Sequence, residues 1–181
     1  KSVKTADPEA REKMHNASTM AGMAFANAFL GMSHSMAHKI GAVHHTVHGR
    51  TNAILLPYVI RYNGTRPSKT TTWPKYNYWK ADEKFQDIAK MLGLPHSTPE
   101  EAVEAYAKAV YDLGVAVGIK MNFKDQGIDE KAWKDSLHEI ALLAYEDQCS
   151  PANPRLPMVA DMEEIMADAY YGYAERPGRR K

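Results

Sequence analysis

Five of the eight histidines in this sequence lie within fifteen residues, in the segment HSMAHKIGAVHHTVH that runs from His34 to His48. His34 and His38 are four positions apart, so on an α-helix they share a face and both rings can reach one ligand. Neutral imidazole is the commonest side-chain metal ligand, and it suits iron, zinc, copper and nickel alike. The cluster therefore predicts a transition-metal or cofactor site and leaves the identity of the metal open.

The histidines do not make a complete site by themselves. The HxxxH spacing is weak evidence, and the HExxH motif is absent because Ser35 and Met36 follow His34. Between Glu12 and Asp82 the sequence has no Asp or Glu, so any carboxylate ligand must come from a distant segment. Histidines that cap helices or satisfy core hydrogen bonds are the alternative interpretation.

The helix that carries the first two of these histidines is expected to break before the last one. Gly41, Gly49 and the β-branched residues at 46–47 weaken a continuous helix here. A loop would then have to return His48 to the site.

Helix start signals, a 3.6-residue apolar period and stop signals repeat along the chain, which predicts an all-α fold in one domain, residues 1–181. A short apolar helix at 51–62 contains Pro57, which is expected to kink or end it. Residues 63–80 are predicted to form a long exposed loop and 174–181 a frayed tail. The other helices are predicted to begin at Asp7, Asp82, Thr98 and Asp129, with the last at Val159–Tyr171.

The stretch Met14–Ala37 has no charged side chain but many polar ones, so we expect a helix buried in protein and no membrane span. The net charge of +1 and the absence of a nucleic-acid-binding motif argue against a nucleic-acid partner. Cys149 is the one cysteine, which rules out a disulfide within the chain and favours a cytoplasmic location. No signal peptide is evident.

The segment AGMAFANAFLGMSHSMAHKIGAVHHTVHGRTNAILLPYVIRYN, residues 21–63, resembles the signature region of iron-dependent alcohol dehydrogenases. EDQCSPANPRLP at 146–157 and MADAYYG at 166–172 are similar to the ends of that family's helical domain. With KYNYWKADEKFQDIAKMLGL added, the resemblance covers nearly the whole chain and is greatest with the alcohol dehydrogenase half of bifunctional aldehyde-alcohol dehydrogenases. It implies the helical C-terminal domain of a dehydroquinate synthase-like architecture.

The resemblance also implies a ligand set. In that family Fe(II) is held by one Asp and three His, two of them fourteen positions apart, and His34 and His48 have that separation. The Asp and the other His are expected upstream, together with the nucleotide-binding domain and the aldehyde dehydrogenase half. Fe(II), with zinc as the alternative, and NAD(H) held mainly by the upstream domain are the expected cofactors.

The implied reaction is reversible hydride transfer between NAD(H) and a primary alcohol or aldehyde, with ethanol and acetaldehyde as the expected pair. His38 matches a histidine near the cofactor and is expected to relay the alcohol proton. His45 matches a position close to the nicotinamide. Phe25 and Cys149 match positions that line the substrate pocket.

Two functions from other classes stay open at this point. The chain could be a non-catalytic helical module that binds a metal or an anion. Because the bifunctional members of the family form filaments, it could also serve chiefly as an assembly surface in a homo-oligomer. The enzyme interpretation predicts that the isolated chain binds Fe(II) weakly and is inactive, since it supplies only part of the metal shell.

Overall fold

The computed structural model of the chain describes residues 1–67 and 79–172. This part of the chain contains seven α-helices, one 3₁₀ turn and no strand, which confirms the all-α prediction. Most of the stretch expected to be an exposed loop, and the tail at 174–181, lie outside the described residues. The helices are α1 (Pro8–Ala28), α2 (Met32–His44), α3 (His48–Gly64), α4 (Ala81–Met91), α5 (Pro99–Ala116), α6 (Glu130–Glu146) and α7 (Val159–Tyr171), with the 3₁₀ turn at Ser150–Ala152.

The main core lies where α2, α3, α6 and α7 meet. The Trp133 ring is stacked on Phe123 and Tyr170, with ring centroids 4.9 and 5.2 Å away. Burying one large apolar side chain contributes about 1.5–3 kcal/mol, so this core fixes the inner face of α2 firmly. Apart from the aromatic rings, its largest fully buried apolar side chains are Met32, Met36, Ile40, Ile54, Leu55, Ile140, Met162 and Met166.

A second, smaller core joins α3 to α5, and α4 packs beside them. Its buried residues are Ile60, Val103 and Ala107. A Cβ atom on Gly64 would lie 2.5 Å from a Val103 methyl carbon, so this position requires glycine for close packing of the two helices. The second core therefore holds the far end of α3.

The predicted helix starts are mostly confirmed. The Thr98 and Asp129 side chains cap α5 and α6 by accepting from backbone amides at 3.2 and 2.9 Å. The limits predicted for α7 are also confirmed. The prediction that Asp82 caps α4 is wrong: the helix begins at Ala81, and Asp82 lies in its first turn, where an acid still interacts favourably with the helix dipole.

Pro57 does not end the third helix, which is continuous from His48 to Gly64. An internal proline removes one helical hydrogen bond and costs about 3 kcal/mol or more. The neighbouring side chains of Leu55 and Val59 are buried in the core, and this packing offsets the cost. The helix also extends two residues into the stretch 63–80 that was expected to be loop.

Helix α1 departs most from expectation. The sequence predicted a buried helix over Met14–Ala37, but α1 has no buried residue and ends at Ala28. Phe29 has a φ of 65°, and only the part of the stretch that belongs to α2 enters the core. Low charge therefore indicated burial wrongly for the first half of this stretch. None of the described helices is long and apolar enough to cross a membrane.

Candidate metal centre

Three of the five clustered histidines converge. His34 and His38 lie on one face of α2, and His48 is the first residue of α3. The ring centroids are 5.1 Å apart for His34 and His48, 5.2 Å for His38 and His48, and 6.2 Å for His34 and His38. One nitrogen atom from each ring lies within 4.8 Å of the others. This spacing allows the rings to face a common ion.

The connection between α2 and α3 returns His48 to the other two rings. His45 adopts the left-handed conformation, with φ 53° and ψ 36°, and Val47 is extended. The Thr51 hydroxyl oxygen lies 2.7 Å from that of Thr46 and donates to the Val47 carbonyl at 3.1 Å, which ties the turn to the first turn of α3. The break expected near 46–47 is confirmed, and the turn brings His48 back beside His34 and His38.

The start of α2 is anchored from the far end of the sequence. The Asn153 side chain is 1% exposed, and its Oδ1 accepts from the Met32 amide at 3.2 Å. Its Nδ2 donates to the Asn63 side chain at 2.7 Å and to the Arg155 carbonyl at 2.6 Å. A helix start leaves amides without internal partners, and Asn153 satisfies one of them. Gly31 is needed here, since a Cβ would lie 2.8 Å from the Asn153 Oδ1.

A polar chain links the two helices beside the rings. The Ser33 hydroxyl donates to the Asn52 Oδ1 at 2.9 Å, and the Asn52 Nδ2 lies 3.2 Å from the His48 Nε2. Asn52 also donates to the His48 carbonyl at 3.2 Å. Asn52 therefore fixes the orientation of the His48 ring from within α3.

The surroundings of His34 favour the neutral form of its ring, the form that can bind a metal. Burial, and then the nearby His48 and His38, lower the pKa of His34 below its ordinary value, so the ring is neutral near pH 7. Its Nδ1 is buried and has no hydrogen-bond partner among the described residues. A buried imidazole nitrogen without a partner, on a ring that stays neutral, fits a metal ion, which would satisfy it.

His38 has a second contact that the sequence did not indicate. Its Nδ1 lies 3.3 Å from an oxygen of Asp147, a residue at the C-terminal end of α6. The two residues are 109 positions apart, and no local pattern could have joined them. The one available signal was the position of Asp147 two residues before Cys149, within the motif that resembled the family.

Comparison with known proteins identifies the family of the chain. Residues 1–170 match the family described as "Fe-containing alcohol dehydrogenase family, C-terminal". The chain belongs to the Fe-containing alcohol dehydrogenase family. An alcohol dehydrogenase from Oenococcus oeni has a similar structure, with TM-score 0.77 and 31% identity, over 92% of this chain and 39% of that one.

Within the family, the chain corresponds to the C-terminal segment of the bifunctional enzyme. It is 79% identical over 180 residues to the aldehyde-alcohol dehydrogenase of Streptococcus pneumoniae serotype 2 (strain D39 / NCTC 7466). The aligned region covers 99% of this chain and 20% of that protein. It is 39% identical over 169 residues to the bifunctional aldehyde-alcohol dehydrogenase AdhE of Escherichia coli (strain K12), over 92% of this chain and 19% of that one. The chain thus spans about a fifth of the length of these relatives.

Two further residues that the family resemblance suggested for the site, Phe25 and Cys149, lie beside the histidines. The Phe25 ring is 46% exposed, and its centroid lies 6.3 Å from that of His34. Cys149 is buried, and its sulfur lies within 4.8 Å of ligand atoms of His38 and Asp147. Burial, and then the Asp147 carboxylate, raise the pKa of the Cys149 thiol, so it stays protonated at neutral pH. A protonated, buried thiol suits a pocket wall better than a nucleophile.

His45 and His44 are not among the three converging rings. His45 is exposed in the turn, where it lines a cavity of about 290 Å³ with Arg50 and Gln126. His44 packs on the Trp133 ring, with centroids 5.2 Å apart, and its Nε2 lies 3.0 Å from the Ser136 hydroxyl. His44 therefore has a structural contact that accounts for it, whereas the role suggested for His45 near a nicotinamide stays a prediction.

Proposed function

We propose that this chain supplies two metal ligands and the proton-relay histidine of an NAD-dependent alcohol dehydrogenase that interconverts a primary alcohol and its aldehyde. Ethanol and acetaldehyde are the proposed pair. The observation that carries the proposal is the convergence of His34, His38 and His48, in a chain whose relatives are dehydrogenases. A bound metal would supply Lewis-acid polarisation of the substrate oxygen.

The proposed ligands from this chain are His34 and His48. The neutral, unpartnered nitrogen of His34 and the restrained His48 ring suit a divalent transition metal such as Fe(II), with Zn(II) as the alternative. No carboxylate belongs to the three-histidine group in the described residues. We propose that the missing donors, an Asp and a third His, come from an upstream segment of the same polypeptide.

His38 is proposed to move the alcohol proton. Its Nδ1 is engaged by Asp147, which leaves the Nε2 as the nitrogen that can accept a proton. General acid-base catalysis of this kind contributes about 10²- to 10⁴-fold to a rate. The ring is also half-buried, so its access to bulk water is limited.

The remaining roles concern the substrate and the nucleotide. Phe25 and Cys149 are proposed to line the substrate pocket, since both lie beside the histidine rings. His45 is proposed to approach the nicotinamide from its exposed turn, with most of NAD(H) bound by the upstream domain. The lengths of the relatives support such upstream segments.

The location and the assembly of the protein are also proposed. We propose a cytoplasmic enzyme, supported by the single free thiol. We also propose a homo-oligomer or filament in which upstream segments cover α1, supported by the exposed apolar side chains of that helix, such as Met20 and Met23. No membrane or nucleic-acid partner is proposed.

The proposal is tested on the native polypeptide that extends upstream of Lys1, purified without oxygen and loaded with Fe(II). NADH formation that depends on ethanol is the expected result, and the isolated 181-residue chain should show none. If the extended, iron-loaded protein forms no NADH with any short primary alcohol, the proposed function is wrong. Turnover by the isolated chain would instead overturn the proposed need for upstream ligands.

A further inference from the structure

We propose that Asp147 is a positioning residue for the reaction: its carboxylate holds the His38 ring in the orientation and tautomer that proton transfer requires. This inference rests on the proposed function of His38. It begins from one contact, 3.3 Å between the His38 Nδ1 and the Asp147 Oδ2. A carboxylate is only an acceptor, so the contact places the proton on Nδ1 and leaves Nε2 unprotonated.

The carboxylate is itself held in place. Its side chain is 8% exposed, and it receives donors from three residues. The Lys39 ammonium group lies 3.0 Å from Oδ2, the oxygen that also faces His38, whereas the Cys149 amide donates to Oδ1 at 3.0 Å. With both oxygens occupied, the group has little rotational freedom, so it can restrain a ring that α2 alone would leave free to turn about its side-chain bonds.

The backbone adds a second restraint. Asp147 directly follows the last residue of α6, its amide donates to the Ala144 carbonyl of that helix, and its own carbonyl accepts from the Ser150 amide at 2.9 Å. The side chain is therefore attached to the rigid end of a helix and to the turn that follows. Positions fixed by a helix end and a hydrogen-bonded turn hold a functional group more accurately than a free loop does.

Charge supports the same role. Burial alone would raise the pKa of Asp147, but the Cys149 amide and the Lys39 and His38 side chains outweigh it and hold that pKa well below its usual range. The carboxylate is thus ionised at neutral pH. An ionised carboxylate on Nδ1 also stabilises the ring when Nε2 takes a proton.

A second metal site is the competing interpretation, because ligand atoms of His38, Asp147 and Cys149 lie within 4.8 Å of one another. Two observations disfavour it. The Lys39 ammonium group already provides a cation on Oδ2, and the buried Cys149 thiol has a raised pKa, whereas metals bind the thiolate. The geometry therefore favours an orienting carboxylate over a ligand.

A double-mutant cycle on the native, iron-loaded polypeptide tests the inference. Asp147→Asn keeps the shape of the side chain, and its remaining oxygen can still accept the Cys149 amide. We expect this variant to lower kcat for ethanol oxidation by about 10- to 100-fold, by analogy with the loss of a carboxylate that orients a metal-bound histidine. In a His38→Ala background, the same change should cost less than about twofold, because no ring remains to be oriented. Asp147→Glu should recover part of the loss.

Iron content and melting temperature are measured for each variant, with Glu146→Gln, the exposed neighbour, as the matched control. An equal loss in both backgrounds would overturn the inference, and so would a fully active Asp147→Asn protein. An Asp147→Asn protein that loses its iron or its cooperative melting would also count against it, because the carboxylate would then hold the fold and not the ring. If His38→Ala itself retains full activity, it is the proposed role of His38 that fails.

Discussion

The centroids of the His34 and His48 imidazole rings lie 5.1 Å apart, although the two residues are fourteen positions apart on different helices. The distance is set by the left-handed turn at His45 and by the Asn153 side chain that anchors the first turn of α2. A straight continuation of α2 beyond His44 would instead have carried His48 away from His34 along the helix axis. The two rings therefore meet because the chain is folded back, and this fold depends on contacts far apart in sequence.

His38→Ala is expected to separate chemistry from metal binding. The substitution removes the proposed proton acceptor but leaves both proposed ligands, so kcat for ethanol oxidation should fall by about 10²- to 10⁴-fold while bound iron is retained. Steady-state kinetics with iron analysis on the native polypeptide provide the measurement. A variant with normal kcat would remove His38 from the proposed mechanism.

Asn153→Ala is expected to loosen α2. It leaves the Met32 amide and the Asn63 side chain without a buried partner, at a cost of about 3 kcal/mol. Amide exchange in the first turns of α2 should become about 100-fold faster, as followed by hydrogen-deuterium exchange with mass spectrometry. Asn16→Ala, on the exposed face of α1, is the control and should leave this exchange unchanged.

Stability should depend on pH through His44. Burial, and then the neighbouring His45, lower its pKa in the folded protein. Between that lowered value and the unfolded value of about 6.5, the unfolded chain binds more protons, so the free energy of unfolding falls as pH falls. The contribution of His44 is fully present above about pH 6.5.

The measurement is the melting temperature of the metal-free protein at a series of pH values. The difference in melting temperature between wild type and His44→Gln should become smaller as pH falls from about 7.5 to about 5.5. His15→Gln, on exposed α1, is the matched variant. If the difference widens as pH falls, the folded protein favours protonated His44, and this would contradict the lowered pKa of His44.

Helix α1 should be accessible to protease in the isolated chain and protected in the native polypeptide. The helix has no buried residue, and Met14 and Phe25 are 59% and 46% exposed. If upstream segments cover this surface, tryptic cleavage after Arg11 and Lys13 should be much slower in the longer protein. Equal cleavage rates in both proteins would show that nothing in the longer protein covers α1.

Local sequence patterns predicted most helices because their signals lie within a few residues. Thr98 and Asp129 act as caps within one helical turn, and such short-range chemistry is visible in the sequence. Pro57 shows the limit of these patterns, since core packing allows the helix to continue through it. Helix α1 shows another limit. The absence of charged side chains does not say whether the surface that would bury this helix belongs to the same part of the protein.

The site was predictable in part for the same reason. The shared face of His34 and His38 follows from helical spacing alone. The return of His48 was open at the sequence level, because it depends on the geometry of one turn. The contact between His38 and Asp147 spans 109 positions, and only the three-dimensional structure joins them.

The most direct test of the central claim is the iron content of ligand variants of the native polypeptide. His34→Gln and His48→Gln should each lose most of the bound iron, while His44→Gln, a histidine of the same segment that contacts Trp133, should keep it. Iron is measured by elemental analysis after desalting, with a melting curve for each protein. Full iron content in both His34→Gln and His48→Gln would contradict the claim that these two rings hold the metal.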